Sequence, residues 1–103
     1  WEWDKERFTE QEEMIKELNK KNIHLSLWNY PYLQEDSPAF KELAERGFFI
    51  KNKEGHPAMF KATADSELLC ACFDFTNPEF LAWYEERVKK IVRMGVSVIK
   101  TDF

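Results

Sequence analysis

The chain has 103 residues, of which 44% are hydrophobic and 33% charged, and this composition predicts a folded chain of one domain at most. The formal net charge is −4 with no basic block, and the apolar stretches are far shorter than a membrane span, so we expect neither nucleic acid nor a membrane as a partner. No segment resembles a secretory signal, so the expected location is cytoplasmic.

The first half of the chain is predicted to contain two helices and one strand. Residues 9–12 form a capping box that starts the first helix, with Thr9 as its N-cap. Apolar residues then alternate over 23–28, which indicates a strand. Ser37-Pro38 is typical of a second helix start, and Gly47 of its end.

The second half is predicted to contain a hairpin, an extended segment, a helix and a strand. Residues 48–50 and 58–60 flank a turn-forming segment at 52–55, and this pattern indicates the hairpin. Residues 61–69 have no clear period, and 69–75 is predicted to be extended. Asn77-Pro78 starts a long helix that ends at Gly95, and 96–99 is the last strand.

This order of elements predicts part of a larger α/β fold. Each of the two main strands follows a helix, so the strands should be parallel. A two-stranded parallel sheet is not stable alone, because parallel strands need several neighbours and cover on both faces. We therefore expect a slice of a larger α/β barrel or open sheet.

The two cysteines, Cys70 and Cys72, are predicted to be small, partly buried thiols in an extended segment. Their spacing is too close for an easy disulfide. A zinc site would need two further ligands, and neither histidine of the chain lies at a recognisable spacing from the pair. The aromatic start at residues 1–4 either lines a pocket or packs on the first helix.

Candidate functional residues follow the two main strands, where parallel α/β proteins collect their reactive groups. One cluster is Trp28 with Asn29, Tyr30 and Tyr32, and the other is the segment 100–103. Trp28 offers a flat face to a sugar ring or is an aromatic of the core or rim. Asp102 is a reactive carboxylate kept ionised by Lys100, or the two form a structural ion pair at a sheet edge.

Residue strings spread over the whole chain form a more specific pattern. They are Glu2-Trp3-Asp4 with Arg7-Phe8, Leu27 to Tyr32, Ser37-Pro38 with Lys41-Glu42 and Gly47-Phe48, Asp74 to Pro78, Trp83-Tyr84, and Met94-Gly95 followed by Val96 to Phe103. In this order they resemble glycoside hydrolase family 31, in which Lys-Thr-Asp-Phe belongs to the strand that carries the nucleophile. The resemblance points toward the α-xylosidase-like branch, with α-glucosidases close to it.

The resemblance implies a (β/α)8 TIM barrel, of which residues 1–103 are a partial catalytic domain with about its third and fourth strands. It implies retaining hydrolysis of an α-xyloside or α-glucoside through a covalent intermediate on Asp102, with Lys100 and Trp28 binding the carbohydrate substrate. No metal or organic cofactor is needed for this chemistry.

The sequence departs from the family pattern at several points. The family motif continues with Gly-Glu after Phe103, and its general acid comes from a later strand, so we expect this chain alone to be inactive. The family's aromatic loop after the hairpin is replaced from Phe60 onward. In Asn29-Tyr30-Pro31 a Tyr stands where a different order of neighbouring residues is commoner in the family.

Two alternatives to the enzyme stay open at this point. In the first, the chain is a catalytically inert barrel fragment. In the second, it is a non-enzymatic carbohydrate-binding module. As an isolated fragment it would leave Trp28, Phe75, Trp83 and the last strand uncovered, which predicts self-association. The parent protein could also be a homo-oligomer.

Overall fold

The computed structural model describes residues 2–103, which form three helices and five short strands. In chain order these are α1 (Gln11–Lys20), β1 (Ser26–Asn29), β2 (Tyr32–Gln34), α2 (Phe40–Glu45), β3 (Met59–Phe60), β4 (Cys70–Cys72), α3 (Pro78–Arg93) and β5 (Val98–Thr101). Trp1, part of the aromatic start, lies outside the described residues. Among residues 2–103, no helix has the length and apolar character needed to cross a membrane.

The chain divides into two compact units, which are described separately. The first contains residues up to Tyr30 together with Trp83–Phe103, and the second is Pro31–Ala82. In the first unit β1 and β5 pair in parallel, which confirms the prediction from the helix–strand order. Their register runs from Ser26 opposite Val98 to Asn29 opposite Thr101.

Both parallel strands begin two or three residues later than predicted, because the preceding residues complete helix ends. Helix α1 is followed by Asn22 at φ 58° and α3 by Gly95 at φ 100°. The next residue's N–H donates back to a helix carbonyl in each case, from Ile23 over 3.0 Å and from Val96 over 3.4 Å. These residues therefore belong to the helix caps, and Gly95 is confirmed as the end of α3.

The predicted capping box of the first helix is wrong. Helix α1 begins at Gln11, and its N-cap position is Glu10, which makes no side-chain cap hydrogen bond. Thr9 lies before it, in a segment that follows a turn built on Asp4, whose Oδ1 accepts the Glu6 N–H at 3.0 Å. The turn built on Asp4 fixes how the chain enters α1, and Thr9 therefore does not cap the helix.

The core of the first unit is apolar and lies between α1, α3 and the two strands. Ile15, Ile91 and Val96 are buried. Partly buried side chains that pack against them are Trp3, Met14, Leu25, Leu27, Met94 and Ile99. Trp3 thus packs on the first helix's core, as one of the two interpretations of the aromatic start predicted.

The second unit is built on an antiparallel sheet of order β2–β4–β3. Strand β4 and the bridge at Phe73 confirm the middle of the extended segment predicted over 69–75, whereas its end at Phe75 lies in a turn built on Asp74. Strand β2 was not predicted, because its three residues have no alternation and become a strand by pairing with β4. The predicted hairpin is confirmed by the Ala58 N–H donating to the Ile50 carbonyl and the Asn52 N–H to the His56 carbonyl, each at 2.8 Å.

Phenylalanine rings form the core of the second unit. Phe40, Phe49, Phe73 and Phe80 stack in sequence with centroid separations of 4.9, 5.0 and 4.9 Å. Phe49 and Phe80 are almost completely buried. This stack joins α2, the sheet and the start of α3 in the same unit.

The predicted start of the second helix is wrong and its predicted end is correct. Helix α2 begins at Phe40, not at Ser37-Pro38, because the Phe40 N–H donates to the Ser37 carbonyl at 2.9 Å in a separate turn. Gly47 follows the helix at φ 71°, a left-handed conformation that favours glycine.

The start of α3 is confirmed. Pro78 is its first residue, and the Asn77 Oδ1 accepts the N–H groups of Glu79 at 2.9 Å and Phe80 at 3.4 Å. Just before it, Asp74 makes local turn bonds, in which its Oδ1 accepts the backbone N–H and the hydroxyl of Thr76.

Candidate active site

The carboxyl ends of β1 and β5 bring together the three residues that the sequence singled out. The parallel register places Trp28 opposite Lys100. Side chains two residues apart on a strand share a face, so Lys100 and Asp102 point the same way. Asp102 lies directly after β5, and its backbone N–H donates to the Asn29 carbonyl at 3.0 Å. Both strand ends therefore meet at one carboxylate.

The Asp102 carboxylate accepts three hydrogen bonds from residues 2–103. Lys100 Nζ donates to Oδ2 at 2.7 Å, and Trp28 Nε1 donates to the same oxygen at 3.2 Å. The backbone N–H of Phe103 donates to Oδ1 at 3.0 Å. The carboxylate is thus held by a cation, an indole and the main chain.

These partners favour the charged form of the carboxyl. The hydrogen bond from Lys100 is the largest cause that lowers the pKa of Asp102 below its ordinary value, followed by the bonds from Trp28 and the Phe103 N–H. Its side chain is 42% exposed and that of Lys100 63% exposed. Asp102 is therefore an ionised carboxylate within reach of solvent and of a ligand.

Aromatic rings lie beside this carboxylate. The Trp28 side chain is 54% exposed, and its ring lies 4.7 Å from the Tyr30 ring at an angle of 32°. Phe103 is edge-on to both rings, with centroid separations of 6.2 and 6.4 Å. An exposed indole next to an ionised carboxylate suits the apolar face and the hydroxyl groups of a sugar ring.

Not every residue of the predicted clusters belongs to this arrangement. Tyr32 lies in β2 of the second unit, where its ring packs edge-on against Phe60 at 4.8 Å. Trp83, expected to leave apolar surface uncovered, is only partly exposed, and the Arg87 guanidinium lies 3.6 Å from its ring centroid. Phe75 is exposed, as predicted.

Sequence reasoning missed one interaction of the site. The Asn29 Nδ2 donates to the Tyr84 hydroxyl oxygen at 2.9 Å, so the residue that binds the Asp102 backbone is itself bound to α3. The two residues are 55 positions apart. No local pattern indicates such a pair, and the only signal at Tyr84 was its place in a recurring Trp-Tyr string.

The two cysteines are free thiols in β4 of the second unit. Cys72 is partly buried, as predicted, whereas Cys70 is almost completely buried. Burial is the larger cause that raises the pKa of the Cys72 thiol, and the charge of Asp74 adds to it. Residues 2–103 contain no cluster of three or more side chains able to hold a metal ion.

Comparison with known proteins gives matches over the whole chain. The family model for the glycosyl hydrolase family 31 TIM-barrel domain matches residues 1–103. An α-xylosidase, XylQ, of Lactiplantibacillus pentosus is 33% identical over 102 residues, which are 99% of this chain and 13% of that protein. An α-xylosidase of Emericella nidulans is 30% identical over 103 residues, or 100% of this chain and 13% of that protein.

Solved structures give the same fold. A family 31 sulfoquinovosidase from E. rectale, in complex with an aza-sugar inhibitor, superposes with a TM-score of 0.84 at 30% identity. The match covers 100% of this chain and 15% of that chain. The chain thus spans about one seventh of the length of the proteins it matches, and its fold is a fragment of a TIM barrel. With a family model matched along its whole length, the chain belongs to glycosyl hydrolase family 31.

Proposed function

We propose that the complete protein hydrolyses α-glycosidic bonds with retention of configuration and that Asp102 is its nucleophile. Residues 1–103 are then part of the catalytic (β/α)8 barrel, with β1 and β5 as about its third and fourth strands. The observation that carries this proposal is the ionised, accessible Asp102 carboxylate at the ends of two parallel strands, bound by Lys100 and Trp28.

The state of the carboxylate supports the nucleophile assignment. In the first step a carboxylate oxygen bonds to the anomeric carbon while the bond to the leaving oxygen breaks, and a second carboxyl protonates that oxygen. In the second step the other carboxylate takes a proton from water, the water oxygen bonds to the anomeric carbon, and the ester bond breaks to regenerate the Asp102 carboxylate. Of the two Asp102 oxygens, Oδ1 accepts one hydrogen bond from residues 2–103 and Oδ2 accepts two, so Oδ1 keeps more of its lone-pair capacity for attack.

Lys100 and Trp28 bind the sugar next to this nucleophile. The ammonium of Lys100 has three donors, one of which is committed to Asp102, and the others suit sugar hydroxyl groups. The exposed indole face of Trp28 covers an apolar face of the ring while its N–H stays on the carboxylate. Both residues thereby orient the substrate and stabilise the charge of the nucleophile.

The second carboxyl belongs to another part of the complete protein. A retaining pair requires two carboxyl groups about 5 Å apart. The family resemblance assigns the general acid to a later strand, and the chain covers 13% of the α-xylosidase XylQ. We therefore propose that residues 1–103 alone are inactive.

An α-xyloside or an α-glucoside is the proposed substrate. Two relatives carry the name α-xylosidase, at 33% and 30% identity, and relatives named neutral α-glucosidase C reach 33% over 80% of this chain. A relative named sulfoquinovosidase is 27% identical, and the solved sulfoquinovosidase is 30% identical over the whole chain, so an α-sulfoquinovoside is the competing substrate to test. The altered loop from Phe60 onward bears on this choice, because it stands where the family resemblance places an aromatic loop that shapes the sugar site.

The test uses aryl α-glycosides and the complete protein. Asp102→Asn removes the charge but not the shape of the side chain, and we expect turnover to fall by about 10⁴-fold or more with unfolding unchanged. Asp36→Asn, an exposed acid of the second unit, is the matched control and should keep wild-type turnover. Wild-type turnover of Asp102→Asn would refute the nucleophile assignment.

A second measurement tests the covalent step. A fluorinated glycosyl fluoride forms the ester faster than water cleaves it, so the adduct accumulates and peptide mass spectrometry should locate it on Asp102. An adduct on another residue would contradict the assignment. Sugar binding by the wild-type protein without any turnover would instead favour the non-enzymatic carbohydrate-binding module.

A further inference from the structure

A short path of hydrogen bonds joins helix α3 to the backbone of Asp102. The Asn29 Nδ2 donates to the Tyr84 hydroxyl oxygen at 2.9 Å. The carbonyl of the same Asn29 accepts the Asp102 N–H at 3.0 Å. Asn29 is thus bound through its side chain to the helix and through its main chain to the proposed nucleophile.

The bond to Asn29 fixes the backbone of Asp102. Strand β5 ends at Thr101, so Asp102 is the first residue beyond the paired strands. Its N–H makes the last backbone bond to the β1 side. A shift of Asn29 therefore moves the Cα of Asp102, and the carboxylate moves with it.

Tyr84 is well placed to hold Asn29 still. Asn29 is the last residue of β1, and the chain then leaves the strand towards Pro31, which has no N–H to continue the pairing. Tyr84 lies within the 16-residue helix α3, the same helix that leads through Gly95 into β5. Helix α3 therefore positions both strand ends at the site.

We propose that Tyr84 is a positioning residue for Asp102 and acts through Asn29. The inference rests on the nucleophile role proposed above and adds a residue to that site. Attack on an anomeric carbon depends on placement, and displacements of about 1 Å cost up to 100-fold in rate. Lys100 and Trp28 stabilise the charged form of the carboxylate. Tyr84 and Asn29 fix the position of its backbone.

The first test is Tyr84→Phe in the complete protein. This change removes one hydroxyl and keeps the ring, so folding is retained. Loss of one neutral hydrogen bond predicts a kcat lower by about threefold to tenfold, with KM within about twofold. The acid limb of the pH profile should not move, because the partners that set the charge of Asp102 are unchanged.

Ser97→Ala is the matched control. It also deletes one hydroxyl in the first unit, whose oxygen lies 3.3 Å from His24 Nδ1, and it touches neither Asn29 nor Asp102. Its kcat should equal that of the wild type. A kcat lowered equally by Ser97→Ala and Tyr84→Phe would overturn the positioning role, because any lost hydroxyl would then have the same effect.

A double-mutant cycle separates positioning from general stabilisation. Asn29→Ala removes the amide but keeps the carbonyl that binds Asp102, and Asn29→Ser serves the same purpose if the alanine variant folds poorly. In either background Tyr84→Phe should cause no further loss of kcat, because its partner is already gone. An unchanged fold-loss in that background overturns the inference.

The same assay must include Asp102→Asn. If Asp102→Asn abolishes turnover and Tyr84→Phe equals the wild type, the positioning role alone is refuted. If Asp102→Asn keeps full turnover, both the nucleophile assignment and the inference built on it fail.

Discussion

Gly95 joins α3 to β5 at a point where a side chain has no room. Its φ is +100°, which L side chains rarely adopt. A Cβ there would lie 3.0 Å from Asn19 Nδ2 and 3.1 Å from Ile15 Cγ2. Ile15 is fully buried, and Asn19 Nδ2 already donates to the Gly95 carbonyl at 3.0 Å. Neither neighbour can move away without disturbing the core or losing this bond.

Gly95→Ala should therefore destabilise the protein by two separate costs. The left-handed backbone costs about 1–2 kcal/mol for a residue with a Cβ. The added methyl group costs about 1–3 kcal/mol more, because a packed core must shift to accept it. The expected loss is about 2–5 kcal/mol, a large part of the roughly 5–15 kcal/mol by which domains are stable.

Gly55→Ala is the control that isolates the backbone cost. Gly55 also has a positive φ, +86°, but no heavy atom lies within 4 Å of the Cβ it would carry. Its expected loss in the free energy of unfolding is about 1–2 kcal/mol. Urea unfolding of the complete protein and its two variants measures both losses. If Gly95→Ala lost no more stability than Gly55→Ala, the close contact with Ile15 and Asn19 would be refuted.

Two further predictions concern the α3 cap and the charge of the nucleophile. Asn77→Ala should lower the free energy of unfolding by about 1–2 kcal/mol by removing the cap and the bond that Asn77 Nδ2 donates to the Gly47 carbonyl at 3.1 Å. Asn77→Ser loses the same amide bond but keeps an oxygen that can accept the Glu79 N–H, so it should lose less; equal losses in urea unfolding would contradict the cap. Lys100→Met removes the main cause of the lowered pKa of Asp102, so that pKa should rise. The acid limb of the kcat/KM profile should therefore move to higher pH. The control is Lys16→Met, which breaks an exposed ion pair with Glu13 and should leave the acid limb where it is.

Local signals predicted the fold best where no other contact competes with them. Asn77, Gly47 and Gly95 act within one helical turn, and all three have the predicted roles. Thr9 also carried a local signal, but a turn built on Asp4 determined the entry to α1 instead. Strand β2 has no local signal and depends on pairing with β4, 38 positions along the chain, so it could not be predicted from its own residues.

In the candidate site, too, a local contact could be predicted from the sequence and a long-range contact could not. Lys100 and Asp102 are two residues apart after an apolar strand, so their contact could be predicted from strand geometry, and the 2.7 Å bond confirms that they meet. The bond between Asn29 and Tyr84 joins residues 55 positions apart through side chains that suit many partners. Only the folded backbone brings them together.

Asp102 is held by two sets of groups at the candidate site. The groups that lower the pKa of Asp102 are largely exposed, and they act on its carboxylate. Its backbone is fixed by the main-chain carbonyl of Asn29, a partly buried residue whose side-chain amide is bound to α3. Charge and position are therefore set by different residues, and substitutions should separate them: Lys100→Met moves the pH profile, whereas Tyr84→Phe lowers kcat at every pH. If Tyr84→Phe also moved the acid limb of the pH profile, the carboxylate would have one shared support instead of two.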